Sequence, residues 1–340
     1  MDRLESRLKP PRMIGESASF LEMQEHISSV APLNKPVLIV GERGTGKELV
    51  AARLHFLSRR WEQSFLKINC AAMSENLLEA QLFGHEAGAF TGATKLRKGY
   101  FERADGGTLF LDELANTDMT VQEKILRVIE YGEFERLGGN ETLSVDVRII
   151  AATNEDLPEL ARDNRFREDL LDRLAFDVIT LPPLRERAED ILVLAEHFAV
   201  GMIKEIGGEY FHGFSEEVAE EILAYSWPGN IRELKNVVER AVYQHGDNPI
   251  SNLVFNPFDS PYRPGRQSAE SETKQESASS LPDLASLESY DFKKEIQEYE
   301  IRLLQQAMKQ NQFNQKKAAE FLNLSYHQLR GYLRKYDLLG

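Results

Sequence analysis

Four short apolar runs punctuate the first half of the chain: VLIV at 37–40, FLKINC at 65–70, TLFLDE at 108–113 and VRIIAATN at 147–154. Each is rich in β-branched or aromatic residues and too short for a helix, so the pattern predicts strands buried on both faces. Between them lie stretches with apolar residues at three- and four-residue steps, such as VQEKILRVIEYGE at 121–133, which predict helices. The alternation predicts an α/β fold, a largely parallel sheet sandwiched by helices. After AFDVITLPPL the pattern turns purely helical from Glu186 to about Tyr243, the mark of a small helical lid.

From 259 to 289 large apolar residues almost vanish and Ser, Glu and Pro crowd in, which predicts a flexible linker. Beyond it, Ile296, Tyr299, Leu303, Leu304, Ala307 and Met308 recur at helical spacing. QKKAAEFL (315–322), the turn Asn323-Leu324-Ser325 and YHQLRGYLRK (326–335) then read as helix, turn and helix, with Ser325 as N-cap. The expected division is a short segment at 1–11, an α/β subdomain at 12–184, a lid at 185–258, the linker, and an all-α helix-turn-helix domain at 290–340.

A chain of 340 residues can bury a substantial core. Its single cysteine, Cys70, excludes an intramolecular disulfide framework. No apolar run approaches the roughly 18 residues of a membrane span, so no membrane insertion and a cytoplasmic location are expected. The net charge of −14 argues against a chain that wraps nucleic acid along its length, but the charge is uneven. The last 29 residues are net basic and residues 1–262 are strongly acidic.

The chemistry begins behind VLIV. In Gly41-Glu42-Arg43-Gly44-Thr45-Gly46-Lys47-Glu48 the glycines let backbone N–H groups turn inward around phosphates, the following helix adds its positive end, and Lys47 reaches the terminal phosphates of ATP. Glu48 stands where such loops have a Ser or Thr for Mg²⁺, so metal binding must lean on other groups. Asp112 and Glu113, ending TLFLDE, supply them. Asp112 is the candidate Mg²⁺ ligand and Glu113 the candidate base for the attacking water. Thr153 and Asn154 end the strand after it, where Asn154 can orient the same water or the pair can merely start the next helix. Arg167 and Arg173 are six apart on an expected helix and are either arginine fingers toward a neighbour's nucleotide or structural ion pairs; spacing leaves both open. Arg232 falls in the first turns of a helix after Trp227-Pro228-Gly229, an unfavourable place for a cation that hints at phosphate contact.

One stretch, GHEAGAFTGATK at 84–95, fits neither a helix nor a plain solvent loop, with Gly84, Gly88 and Gly92 around a lone Phe90. In the basic tail, Tyr326, His327, Gln328 and Arg330 are the candidates for the DNA major groove and Lys316, Lys317, Arg334 and Lys335 for phosphates.

Taken together, GERGTGKE, GHEAGAFTGA, GGTLFLDE, LDRLAFD, LPPLRER and WPGNIREL resemble the AAA+ ATPases, and GAFTGA narrows the resemblance to bacterial enhancer-binding proteins that activate sigma-54 RNA polymerase. That resemblance covers residues 12–258 closely, and the tail is similar to the factor-for-inversion-stimulation type of DNA-binding domain. It implies an ATP-hydrolysing activator that binds enhancer DNA, assembles as a ring, usually a hexamer, and remodels a closed promoter complex. By the same likeness Gly88, Ala89, Phe90, Thr91, Gly92 and Ala93 contact the sigma factor, Thr153 and Asn154 form sensor I, and Arg232 forms sensor II. Arg167 and Arg173 match the fingers, and Asn69 matches a residue thought to switch Glu113 with nucleotide state. About a dozen residues precede the ATPase, where most members carry a sensory domain. Control in trans by a separate protein, PspA, is expected instead. Two other classes share the ATPase parts: a clamp loader, helicase or unfoldase, and a nucleotide-gated DNA-binding repressor. The first has little need of a sequence-reading tail, and Glu113 speaks against the second.

Overall fold

Side-chain alternation along five strands is what builds the first of two structural units, which ends at Pro257. The computed structural model describes residues 12–246, 248–259, 292–311 and 314–336; the expected linker, apart from Asp259, and the segment 1–11 lie outside them. In chain order the α/β part comprises α1 (Ala18–Val30), β1 (Val37–Val40), α2 (Lys47–Phe56), β2 (Phe65–Asn69), α3 (Glu75–Phe83), β3 (Gly84–His85), β4 (Arg97–Lys98) and α4 (Tyr100–Arg103). It continues through β5 (Thr108–Asp112), α5 (Met119–Tyr131), β6 (Glu133–Glu135), β7 (Thr142–Ser144), β8 (Arg148–Thr153), α6 (Leu157–Arg162), α7 (Glu168–Leu174) and β9 (Val178–Thr180).

The main sheet is wholly parallel in the order β2-β5-β8-β1-β9. Val37 and Ile39 of β1, Phe110 of β5, and Ile150 and Ala152 of β8 point into one layer with α1 and α2. Leu38, Leu109, Leu111, Ile149 and Ala151 point into the other, with α3, α5 and α7. Period-two burial on both faces is the three-layer arrangement expected from uninterrupted apolar strands. Sequence pattern did not anticipate β9: three residues within AFDVITLPPL carry too little signal. Parallel pairing of Ile39 with Ile179 nonetheless makes β9 the edge beside β1.

The lid comprises α8 (Ala188–Ile206), α9 (Glu216–Ala224) and α10 (Asn230–His245), packed around Trp227, Ile222, Leu234 and Val238. Trp227 is fully buried, holds a left-handed backbone (φ 49°) and donates from Nε1 to the Ile222 carbonyl at 2.8 Å. A left-handed bulky residue is uncommon and needs its surroundings to hold it there. Trp227→Ala is therefore expected to cost about 3–5 kcal/mol, read as an earlier urea midpoint of the lid transition by circular dichroism.

Lid and sheet are bolted together at Asp190 of α8, which is fully buried. Its carboxylate accepts from the backbone N–H groups of Glu16 and Ser17, from the Ser17 hydroxyl at 2.7 Å and from Arg187 Nε at 2.7 Å. Burial alone would raise this carboxyl's pKa; the ring of donors holds it below its ordinary value. Arg187 in turn lies over the Phe20 ring of α1, 4.6 Å from its centre.

The second unit comprises α11 (Phe292–Gln310), α12 (Gln315–Phe321) and α13 (Tyr326–Lys335). Leu304 packs with Ala318, Ala319, Leu329 and Leu333 in its core, Met308 lies against them, and Ala307 is buried. Tyr299 and Leu303, expected on the apolar face, are instead exposed, and the Ile296 side chain lies outside the described residues.

Candidate active site

The C-terminal ends of β1, β2, β5 and β8 converge on one edge of the sheet, the place where open α/β sheets bind ligands. After β1 the loop 41–46 turns on Gly44 (φ 81°) and Gly46 (φ 99°), and α2 starts at Lys47. Lys47 Nζ donates to the carbonyls of Gly41 (2.7 Å) and Glu42 (3.2 Å), and the Thr45 hydroxyl donates to Glu42 O at 2.8 Å. Desolvation lowers the Lys47 pKa, an effect that Asp112 and Glu113 oppose from across the loop. Glu48, one residue on, is tied to Lys67 at 2.8 Å.

Pairing of Asn69 with Asp112 sets those two residues side by side at the ends of β2 and β5. The Asp112 carboxyl is pushed up by burial and accepts from the Glu113 N–H at 3.1 Å. Glu113 itself adopts a left-handed conformation (φ 53°, ψ 45°), a strain of the kind that clusters at functional positions. Its carboxylate lies 3.8 Å from the Arg43 guanidinium. The Asn69 side-chain Oδ1 accepts from Ala71 N at 2.8 Å, which caps a short turn. Thr153 closes β8 and its hydroxyl accepts from Glu155 N at 2.9 Å, while Asn154 lies just past the strand, exposed. The next helix is capped by Asp156, not by the Thr153–Asn154 pair.

Arg232 enters from the lid. Its N–H donates to Gly44 O at 3.3 Å, and a Cβ on Gly44 would stand 2.2 Å from the Gly229 carbonyl, so only glycine permits this approach. Glu42, expected among the nucleotide-contacting residues, turns its carboxylate to the lid instead. It receives both terminal nitrogens of Arg185, at 3.0 and 2.7 Å, and the amide of Asn230 at 3.0 Å, and these donors bring its pKa down to about 2.

Arg167 and Arg173 differ from the expected pair on one helix. Arg167 precedes α7 as its N-cap with extended backbone, and only Arg173 is helical. The reason is Gln122, fully buried on α5. Its carbonyl oxygen accepts from Arg167 N at 2.9 Å while its amide donates to Thr117 O and Arg165 O. Among the described residues the partners of Arg167 are Asp169 and Glu123, and that of Arg173 is Glu130. Neither arginine is engaged with the phosphate loop of its own chain in these contacts. Sequence reasoning passed over Gln122, Arg185 and Asn230 because each acts on a distant segment.

The 84–95 stretch forms a loop on the β3–β4 pair, closed by Gly88 N to Ala93 O at 2.7 Å and Ala93 N to Phe90 O at 3.0 Å. Gly88 (φ 84°) and Gly92 (φ 103°) hold left-handed turns on either side of Phe90, which is 47 % exposed and rests edge-on against His85. Ala89 packs on Gly138 of the β6–β7 connection, so close that a Cβ there would stand 2.8 Å away. Arg136, also on that connection, pairs with Glu86 and Glu102 and anchors the loop's base.

In the second unit Ser325 caps α13 and Gln328 closes the capping box, its carbonyl oxygen accepting from Ser325 N at 2.9 Å. Gln328 thus has only its amide N–H₂ left to point outward. Tyr326 bonds Gln315, and Lys335 lies against Tyr336 and Glu300, whereas His327, Arg330, Arg334, Lys316 and Lys317 line the exposed faces of α12 and α13.

Three family models match in succession: the sigma-54 interaction domain at 13–180, an AAA+ ATPase lid domain at 185–275, and the Fis family of bacterial regulatory proteins at 295–336. The chain is 55% identical over 328 residues to the Psp operon transcriptional activator of Escherichia coli, covering 96% of this chain and 98% of that protein. It is 41% identical to the regulatory protein AtoC of Escherichia coli over 96% of this chain and 68% of that one. Against the nitrogen fixation protein VnfA of Azotobacter vinelandii it is 47% identical over 75% of its own length and spans about half of that relative, 48%. The solved structure of NtrX from Brucella abortus in complex with ATP superposes with a TM-score of 0.66 at 30% identity, covering 98% of this chain and 72% of that one. With its P-loop sheet, lid and helix-turn-helix unit, the chain belongs to the sigma-54-dependent, enhancer-binding transcription activators, which are AAA+ ATPases, and within them it is of the Psp-activator type.

Proposed function

We propose that ATP hydrolysis at the Lys47, Asp112 and Glu113 edge moves the 88–93 loop, and that Phe90 and Thr91 on it press on the sigma factor to open a closed promoter complex. The observation that carries this reading is the half-exposed Phe90 between two left-handed glycines on a loop whose base is held by Arg136 and Glu86. Glycines at such positions lower the cost of switching between loop conformations, and hydrolysis supplies the difference in free energy between them.

In this mechanism the backbone amides of 41–46 and Lys47 hold the phosphates of ATP. Glu113 accepts a proton from water as the water oxygen bonds to the γ-phosphorus and the bond to the β–γ bridging oxygen breaks, leaving ADP and phosphate. Asn154 steers that water, Arg232 meets the phosphates from the lid, and Asn69 governs where Glu113 points. The half-buried Asp112 carboxylate suits Mg²⁺, a hard cation that takes one or two carboxylates together with phosphate oxygens and water. When bound, Mg²⁺ would neutralise charge on the phosphate oxygens. Arg167 and Arg173 reach a neighbour's nucleotide across the seams of a ring, which the family usually builds as a hexamer. His327, Arg330, Tyr326 and the free amide of Gln328 read enhancer bases, while Lys316, Lys317, Arg334 and Lys335 hold phosphates. The reading extends to restraint by a separate protein, PspA, and to work in the cytoplasm, where polymerase and DNA are met.

The test is ATP-dependent open-complex formation with purified sigma-54 polymerase on supercoiled template. Gly92→Ala meets no neighbour within 4 Å, so its effect comes from forcing a side chain at φ 103°, about 1–2 kcal/mol. It and Thr91→Ala are expected to keep ATP turnover within about twofold while open complexes fall more than about tenfold. Open complexes at the full rate would remove the loop from the mechanism.

A further inference from the structure

A carboxylate in a loop built to bind phosphate is electrostatically misplaced, yet Glu42 stands there. It would weaken anion binding unless its charge were neutralised by something else, and the lid does this. Arg185, on the turn Leu184–Glu186, forks onto both Glu42 oxygens. Both partners are nearly half exposed, and an exposed pair by itself contributes little.

The third member changes that. Asn230 is fully buried, and it opens α10 in a left-handed conformation (φ 53°) that asparagine tolerates better than most residues. Every polar atom of its side chain is used. Nδ2 donates to Glu42 Oε2 and to the Arg43 carbonyl, and Oδ1 accepts from Leu184 N at 2.8 Å. One side chain therefore joins the phosphate loop, the turn that carries Arg185 and the helix that carries Arg232. Two residues further on, Arg232 N reaches Gly44 O.

We propose that Glu42, Arg185 and Asn230 form a latch that seats the lid on the phosphate loop and so positions Arg232 toward the nucleotide, with the Glu42 carboxylate acting through Arg232 instead of touching ATP. The inference rests on the reading of 41–48 as the ATP-binding loop. With its pKa near 2, Glu42 stays ionised throughout the working range, so the latch does not open by titration.

The experiment measures binding of a fluorescent ATP analogue and steady-state hydrolysis in the full chain. Glu42→Ala and Arg185→Ala are expected to raise KM and Kd for ATP roughly five- to thirtyfold, with little change in thermal midpoint. In an Arg232→Ala background, Glu42→Ala should add less than about twofold, because a positioning residue has nothing left to position. Penalties that add fully, or an unchanged KM, would overturn the latch while leaving the ATP site intact. A wild-type chain that neither binds nor hydrolyses ATP would overturn both. If Glu42→Ala fails to fold, Glu42→Gln keeps an acceptor for Asn230, removes the charge facing Arg185, and answers the same question.

Discussion

Glu113→Gln is expected to lower ATP turnover by about 10²–10⁴-fold while leaving nucleotide affinity nearly unchanged. Glutamine has almost the same shape and can still hold a water by hydrogen bonding, but it cannot take the proton that water must lose. The left-handed backbone at Glu113 makes this substitution preferable to one that also alters size, since side-chain volume and direction are preserved at a strained position. Single-turnover phosphate release, set beside equilibrium binding of the same nucleotide, separates the two effects. Turnover within tenfold of wild type would hand the base role to another group and leave the conformation of Glu113 without a functional reason.

The second large effect belongs to Arg173. In the chain on its own Arg173 bonds Glu130 through Nε and Nη2 at 2.8 and 2.7 Å, and it is well exposed. Losing an exposed ion pair changes stability by at most about 1 kcal/mol, so a purely structural Arg173 predicts an active Arg173→Ala protein. A finger predicts a fall of roughly 10³–10⁵ in turnover of the assembled ring, with ATP binding retained. Mixing decides between a role in cis and one in trans. Arg173→Ala subunits keep a complete base and Glu113→Gln subunits keep a complete finger. Rings assembled from both contain seams in which an intact base meets an intact finger. Hydrolysis in the mixture, from two proteins that are each inactive, is the expected result. A mixture as inactive as its components would place the arginine's action within its own subunit.

What could be read from the chain, and what could not, follows the distance over which each feature is encoded. VLIV followed by GERGTGKE encodes a strand, a turn and a helix start within a dozen residues, and the structure has all three. The apolar run at 148–153 buries both faces as its composition demands. By contrast, Glu42 finds Arg185 and Asn230 at separations of 143 and 188 residues, and no local pattern carries that information. Arg167 was expected in a helix because the residues after it favour one. It stays outside because buried Gln122, 45 residues earlier, takes its N–H. Neither β9 nor the conformation of Glu113 was legible, the first because three residues give no periodicity, the second because left-handed backbone is expected of glycine or asparagine. In the tail, helical spacing identified α11 correctly yet put Tyr299 and Leu303 on the inner face, since a short bundle covers less of a helix than its apolar stripe offers.

The bolt at Asp190 has a mechanical consequence. The chain entering α1 is fastened by its backbone at Glu16 and Ser17 to the first lid helix, not to the sheet it is about to join. Met13, three residues before Glu16, packs with the α1–α2 layer of the sheet, so a load on this stretch is shared between the sheet and α8. The stretch 13–17 is thus a strap across both parts of the ATPase, held at one end by apolar packing and at the other by the Asp190 carboxylate.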